Sequence, residues 1–343
     1  MQRFRWASFV FLSAALITSA SSCGGHNSVI STPSAQSPFV AARPAVQPLD
    51  QDVVVGPKTI VVVNSNANSV LTFDRGANGD VAPTLTLKGD KTALKTPVAL
   101  ALDKDGNEYV TSYSENTITV YAPGAAGNVL PIRTISGAKT GLDGPLGVAF
   151  DSGGNLYVTN AGDASITVFG PGVSGNVSPI RTISGAATEL KIPFGIAVSG
   201  STGKIYAVAG SESVVVYKKG ASGNVAPIQR IKGAKTGLNF GDGIAVDGAG
   251  NIYVANHVGN TITVYAPAAT GNVAPIRTID GANTDLGLPQ YIAALSNGRI
   301  FVTNAVPCTV LVFDVGANGN VKPQREISGA KTTLANPQGI ALP

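Results

Sequence analysis

Histidine and cysteine are nearly absent from this chain: it has two of each in 343 residues, with one tryptophan and one methionine. Two cysteines cannot build a disulfide framework. One is Cys23, in a segment expected to be processed, so Cys308 is expected to be an unpaired, small buried residue at a loop end. His257 is the sole histidine outside the N-terminal tether, which excludes a His-rich zinc site. Charge is sparse as well, at 13% of residues. The net +4 falls to +2 once Arg3 and Arg5 leave with the leader, and no basic run or aromatic stacking pattern accompanies it, so no nucleic-acid partner is expected. No nucleophile elbow, phosphate loop, dinucleotide fingerprint or paired-cysteine metal motif appears. The G-x-x-G-N segments lie between strands with no helix to follow.

What the chain has is one stretch said six times. Residues 155–185 read as three short strands, NLYVT, SITVF and PIRTI, rich in β-branched and aromatic residues and separated by Gly, Asn and Asp. The Gly opening the G-[ND]-V-x-P segment recurs at Gly79, Gly127, Gly175, Gly223, Gly271 and Gly319, and the closing Gly at Gly89, Gly137, Gly185, Gly233, Gly281 and Gly329, a constant period of 48. A period of this size with four strands per unit predicts propeller blades. The fourth strand is P-x-G-[IV]-A, as at 147–150 and 243–246, and its small residues suit the innermost position. PIRTI is then the outer strand, headed by Pro131, Pro179, Pro227, Pro275 and Pro323 and charged by Arg133, Arg181, Arg277 and Arg325, as an exposed edge requires.

The repeats begin at a second strand, 60–63, and end on a first strand, 339–342, so one blade is shared between the two ends. The expected fold is all-β: a six-bladed β-propeller over 58–343, closed by pairing the C-terminal inner strand with the N-terminal strands, and monomeric. Residues 1–22 read as a signal peptide, with Arg3 and Arg5 before an apolar run at 7–17 that is too short to span a bilayer. Residues 23–57, rich in Pro, Ser and Ala, read as a flexible tether.

The A-S-S-C sequence ending at Cys23 resembles a bacterial lipoprotein box, which implies that Cys23 is lipidated and holds the protein at a membrane of the cell envelope, the outer membrane or cell surface. Y-V-T-N at 157–160, F-V-T-N at 301–304 and Y-V-A-N at 253–256 resemble the YVTN repeats of microbial cell-surface propellers. The run from Gly243 to Val254 is similar to the NHL repeat. Together the resemblance covers nearly all of 59–343. The expected task is binding or scaffolding with an envelope protein or glycan as partner; a purely structural surface protein, which the YVTN likeness suggests, is a further reading.

Function on a repeat scaffold belongs at positions that differ between blades. On the face carrying the interblade connections and the loops between second and third strands, these are Val98, Leu146, Phe194, Asp242, Gln290 and Gln338, with Tyr291 beside them, and Tyr113, Glu115, Asp163, Glu212, His257 and Cys308. Six-bladed relatives of the gluconolactonase and lyase type hold a channel-mouth metal with carboxylates, Asn or His, and the comparable groups here are Asp163, Glu212, Asp242 and His257. A divalent cation enters only under that alternative, a metal-dependent lactonase-like hydrolase or lyase, and no cofactor is otherwise expected. Lys91, Lys139, Lys235 and Lys331 form one column that would suit an acidic glycan. Asp103, Asp151 and Asp247 are expected to hold their own D-x-x-G-N turns, and Asn64, Asn160, Asn256 and Asn304 to satisfy turn amides.

Overall fold

The computed structural model describes residues 58–343; the expected signal peptide, the lipidated Cys23 and the tether lie outside the described residues. The described chain forms six four-stranded antiparallel sheets, joined by loops and short 3-10 turns. In the third blade the inner strand Pro145–Phe150 is followed by Leu156–Asn160, Ser165–Phe169 and the outer strand Arg181–Ile183. Its second and third strands are buried at every residue, because neighbouring blades cover both faces. That is why they read as unbroken β-branched and aromatic runs without alternation. The core is divided among the spaces between blades: Tyr157, Ile166, Val168 and Ile183 of the third blade meet Ile205, Ala207, Val215 and Tyr217 of the fourth.

Inner strands follow one another around the axis in chain order. The last of them, Pro337–Ala341, pairs antiparallel with Thr59–Asn64 through Val62↔Ile340, so the first blade is built from both ends of the described chain. The result is the closed six-bladed β-propeller that the strand count requires.

Two readings of the outer strand are corrected. Pro131 lies two residues before the strand Arg133–Ile135, in the loop, and the other prolines of its column stand in the same relation to theirs. Nor does Arg133 project from the edge. It lies on its own blade, its Nη2 donating to the Tyr109 hydroxyl at 2.7 Å with the guanidinium 5.6 Å from the ring centroid, and Arg181 and Arg277 do the same to Tyr157 and Tyr253. The edge itself is paired by the next blade. Gly175 N–H donates to the Thr134 carbonyl at 2.7 Å and Ser136 N–H returns a bond to the Gly175 carbonyl at 3.3 Å. Gly79, Gly127, Gly223, Gly271 and Gly319 donate equivalently at 2.5–2.7 Å. An edge paired in this way needs no proline or charge to protect it.

The residue after each of these glycines completes the clasp. Asn128, Asn176, Asn224, Asn272, Asn320 and Asp80 each accept a backbone N–H from the previous blade's closing turn, at 2.7–2.8 Å. The closing glycine sits underneath: Gly137 has φ +110°, and a Cβ built on it would lie 2.6 Å from Asn176 Cγ. Both glycine columns of the repeat therefore serve one contact.

Other columns are structural, as expected. Asp151 Oδ1 accepts from Gly153 and Asn155 N–H at 2.9 Å, while Oδ2 accepts from Asn155 Nδ2 and the Tyr157 hydroxyl. Asn160 accepts from Asp143 N–H and donates to Ser165 and Thr167. Cys308, expected to stand unpaired, is buried and disulfide-bonded; the other cysteine of the chain, Cys23, lies outside the described residues.

The clasp is testable by a double-mutant cycle. Asn176→Ala removes one solvent-accessible amide bond and is expected to cost about 1 kcal/mol. Gly137→Ala is expected to cost more, since its Cβ meets Asn176 and its φ disfavours side chains. In the double variant the 2.6 Å collision with Asn176 Cγ is gone and the tightest contact left with residue 176 is the 3.0 Å one to its Cβ, so urea unfolding should give a total below the sum of the singles. Strict additivity would show that the two residues do not share a contact.

Candidate functional site

Every inner strand carries a β-bulge at its start, between Pro145 and Val148 in the third blade and at the equivalent place in the other five. A bulge inserts an extra residue and re-aims the side chains beside it. The bulged pairs are Val98–Ala99, Leu146–Gly147, Phe194–Gly195, Asp242–Gly243, Gln290–Tyr291 and Gln338–Gly339, which places the blade-variable column at one mouth of the axial channel. The second member is small because neighbouring inner strands touch backbone to backbone: a Cβ on Gly195 would lie 2.5 Å from the Asp242 carbonyl oxygen.

Tyr291 breaks that column. Its hydroxyl donates to the Leu146 carbonyl at 2.9 Å. Leu146 belongs to the third blade and Tyr291 to the sixth, directly opposite, so the phenol ring crosses the channel. It packs against two core clusters, one containing Phe301 and Ile340, the other Ala99 and Val148. Burial, then the Asp242 charge, hold its pKa well above that of an ordinary phenol. The neutral, donating hydroxyl therefore persists, and the channel is plugged just below its mouth.

Around this floor the wall is divided. Val98, Leu146 and Phe194, on the second to fourth blades, are apolar; Asp242, Gln290 and Gln338, on the fifth, sixth and first, are polar. Gln290 Nε2 donates to Asn336 Oδ1 at 3.0 Å. Asn336 Nδ2 and Gln338 Nε2 have no partner although both residues are 1% exposed. Half-buried Asp242 makes no hydrogen bond or ion pair, and burial pushes its carboxyl up to about 7. Phe240, two residues before it, meets Phe194 at 5.6 Å between ring centroids and His257 at 6.2 Å. His257 is buried, its Nδ1 unpartnered, and burial lowers its pKa against a hydrogen bond with the Pro289 backbone.

Of the expected site residues, Phe194, Asp242, His257, Gln290, Tyr291 and Gln338 thus gather at the mouth. The others do not join them. Glu115 faces Lys95 at 3.8 Å in an exposed pair. Tyr113 lies against Gly144 in the connection to the third blade, its pKa raised by burial and by Asp143, and Asp163, raised by burial, bonds to Ser165. Glu212 is exposed, and so are Lys139, Lys235 and Lys331, which sit beside the outer strands at the opposite radial end of the connection from the mouth. Asp163, Glu212, Asp242 and His257 come from three blades, and among the described residues no three His, Cys, Asp or Glu lie close enough to hold a metal. The donor set expected for a divalent cation is not assembled, since a hard cation needs several converging oxygens.

Phe240 and Asn336 were missed in the sequence. They belong to the column Thr96, Gly144, Ile192, Phe240, Leu288 and Asn336, just before the inner strand, and all six have left-handed φ, from 44° to 60°. This column also differs from blade to blade, so the rule that singled out its neighbours applies to it equally.

Neither a protein-family model nor a curated protein matches this sequence. Solved structures do match. A chain of a crystal structure of a nidogen/laminin complex superposes with a TM-score of 0.62 at 16% identity, covering 83% of this chain and 98% of that one. A streptogramin B lyase structure gives 0.54 at 14%, covering 83% and 90%. Both likenesses are of fold alone, and they place this chain among six-bladed β-propellers, an architecture that hosts unrelated functions.

Two carboxylates, buried Glu108 and half-buried Asp242, make stability depend on pH. Glu108 is 4% exposed with Oε2 unpartnered, and burial pushes it up to about 7, as for Asp242. Acids whose folded pKa exceeds the unfolded value bind more protons when folded, so they cost nothing in acid, destabilise increasingly as pH rises from the ordinary carboxyl range to about 7, and cost no more beyond it. Replacing Glu108 by Gln is expected to flatten the fall in urea midpoint between pH 5 and 8, by up to about 3 kcal/mol in unfolding free energy. An unchanged slope would show that Glu108 is ionised at no cost in the fold.

Proposed function

We propose that this protein is an exported propeller anchored at the bacterial cell envelope, where it binds a ligand or partner group in the plugged channel mouth and acts as a binding or scaffold protein. The observation that carries this reading is the broken repeat: clasps, turns and cores recur in every blade, whereas the mouth combines a plug, an unpaired carboxylate and two buried carboxamide nitrogens lacking partners. A fold does not keep buried polar groups unsatisfied without consequence, since each costs about 1–3 kcal/mol. A ligand that pairs them recovers that cost. The streptogramin B lyase likeness is the observation favouring the alternative, a lactonase-like hydrolase or lyase. Its metal-dependent form lacks an assembled donor set among the described residues.

The anchor rests on Cys23, and its chemistry is exclusive. A thioether-linked lipid at Cys23 and a disulfide from Cys308 within one chain would require the same sulfur. Intact mass of the mature protein from membranes separates them: a lipid-sized increment removed with the first mature residue supports anchoring, and a chain two hydrogens light with no increment overturns it.

Binding is tested by titrating the mature protein with cell-envelope glycan fragments and envelope extract. Capture lost in Gln338→Leu but kept in the rim variant Glu212→Gln supports the mouth as the site. Turnover of a lactone that disappears in Asp242→Asn would establish the enzymatic reading instead, and self-assembly on concentration without any capture would favour a structural role.

A further inference from the structure

The geometry points to an organic ammonium ion carrying an oxygen acceptor a few bonds from its nitrogen as the ligand class of the channel mouth. This rests on the reading of the mouth as a binding site. Asp242 is the single carboxylate among the bulge residues of the mouth, and no lysine, arginine or hydrogen-bond donor answers it. The ion pairs Lys95–Glu115 and Arg230–Glu189 are exposed and lie outside the mouth, the second on an outer strand. A cation supplied from outside is what this carboxylate lacks.

The neighbours of Asp242 decide which kind. A metal ion would need further oxygen donors, which are not assembled there. Instead the carboxylate is flanked by rings. Phe240 precedes it by two residues and stacks obliquely on Phe194, at an interplanar angle of 56°. Tyr291, whose phenol Asp242 perturbs, closes the floor. Phe240 and Tyr291 keep part of their surface exposed at the mouth. Ring faces and one carboxylate together favour a bulky, weakly hydrated cation over a hydrated metal, because the ring quadrupole attracts positive charge where water is displaced.

On the other side of Asp242 stand Gln290, Asn336 and Gln338. Two of their amide nitrogens, Asn336 Nδ2 and Gln338 Nε2, are unpartnered donors at 1% exposure. They call for an acceptor on the ligand, hence an oxygen as well as a charge. An amino alcohol or a betaine-like molecule carries both groups, and a lipid headgroup or a free metabolite could present them.

Three probes and two variants test this by calorimetric titration of the mature protein. Choline carries charge and oxygen, 3,3-dimethylbutan-1-ol is its neutral isostere, and tetramethylammonium lacks the oxygen. Choline is expected to bind more tightly than either. Asp242→Asn should weaken choline at least about tenfold while leaving the neutral alcohol unchanged, and Phe240→Leu should weaken choline about two- to thirtyfold. Thermal melts establish that both variants are folded. Vesicles with phosphocholine headgroups, compared with free choline, distinguish a lipid source from a soluble one. Equal binding of choline and its neutral isostere, or choline binding unaffected in Asp242→Asn, overturns the cation assignment. So does an absence of heat with choline in a protein that still captures an envelope component through Gln338, and in that case the mouth remains a binding site for another chemistry.

Discussion

Contact between the backbones of adjacent blades is the constraint on which the rest of the structure depends, and it is made at two radii. Near the axis, inner strands approach so closely that a Cβ on Gly147, Gly195 or Gly243 would fall 2.5–2.6 Å from the next strand's carbonyl oxygen. At the rim, each G-N-V turn hydrogen-bonds the previous blade's outer strand and its closing turn. The apolar clusters fill the wedge between those radii. A ring closes only if every unit subtends the same angle, so both contacts recur in every blade, with Ala99 and Tyr291 the departures at the inner position and Asp80 the one at the rim. This is why the glycines keep a strict period of 48 while the loops between them vary.

Tyr291 shows where that constraint relaxes. A side chain at a bulge position can extend into the channel without separating the blades, and one phenol reaches Leu146 on the far side. A single aromatic suffices to turn a through-channel into a blind cup, and it fixes the depth to which any ligand can enter. The burial that keeps the phenol protonated also keeps it hydrogen-bonded, so the plug is held at both ends.

The period, the inner strands and the shared blade were legible in the sequence because each follows from counting, and a ring turns counting into geometry. The clasp was not. Gly175 and Asn176 read as turn residues within their own blade, and nothing local says that their partners are Thr134 and Lys139 one blade earlier. Arg133 was misread for the same reason: an edge looks exposed until the neighbour that covers it is known. At the site, the blade-variable rule found Asp242, Gln290 and Gln338 together with Glu115 and Glu212, which stay at the rim. Loop membership specifies the face of the ring, whereas distance from the axis is set by the bulge. Phe240 and Asn336 lie two residues before Asp242 and Gln338, in left-handed conformations that the sequence does not advertise for Phe.

The polar half of the mouth lies across the seam where the ring is joined. Asn336 and Gln338 belong to the strand and loop that complete the first blade, and Asn64 holds that loop from the other end of the chain, donating to the Thr333 carbonyl at 2.9 Å and accepting the Ala335 N–H at 2.5 Å. Gln290 reaches Asn336 across the contact between the sixth blade and the segment that completes the first. An open ring would retain Phe194, Phe240 and Asp242, which sit on consecutive blades, but not the carboxamides beside them. Closing the ring therefore sets Gln338 in place, and a ligand that bridges Asp242 to Gln338 needs the strand that closes it. Because such a ligand would bind only the closed form, its binding energy adds directly to the stability of closure. The part of the propeller with the fewest covalent constraints is thereby the part that ligand binding reinforces most.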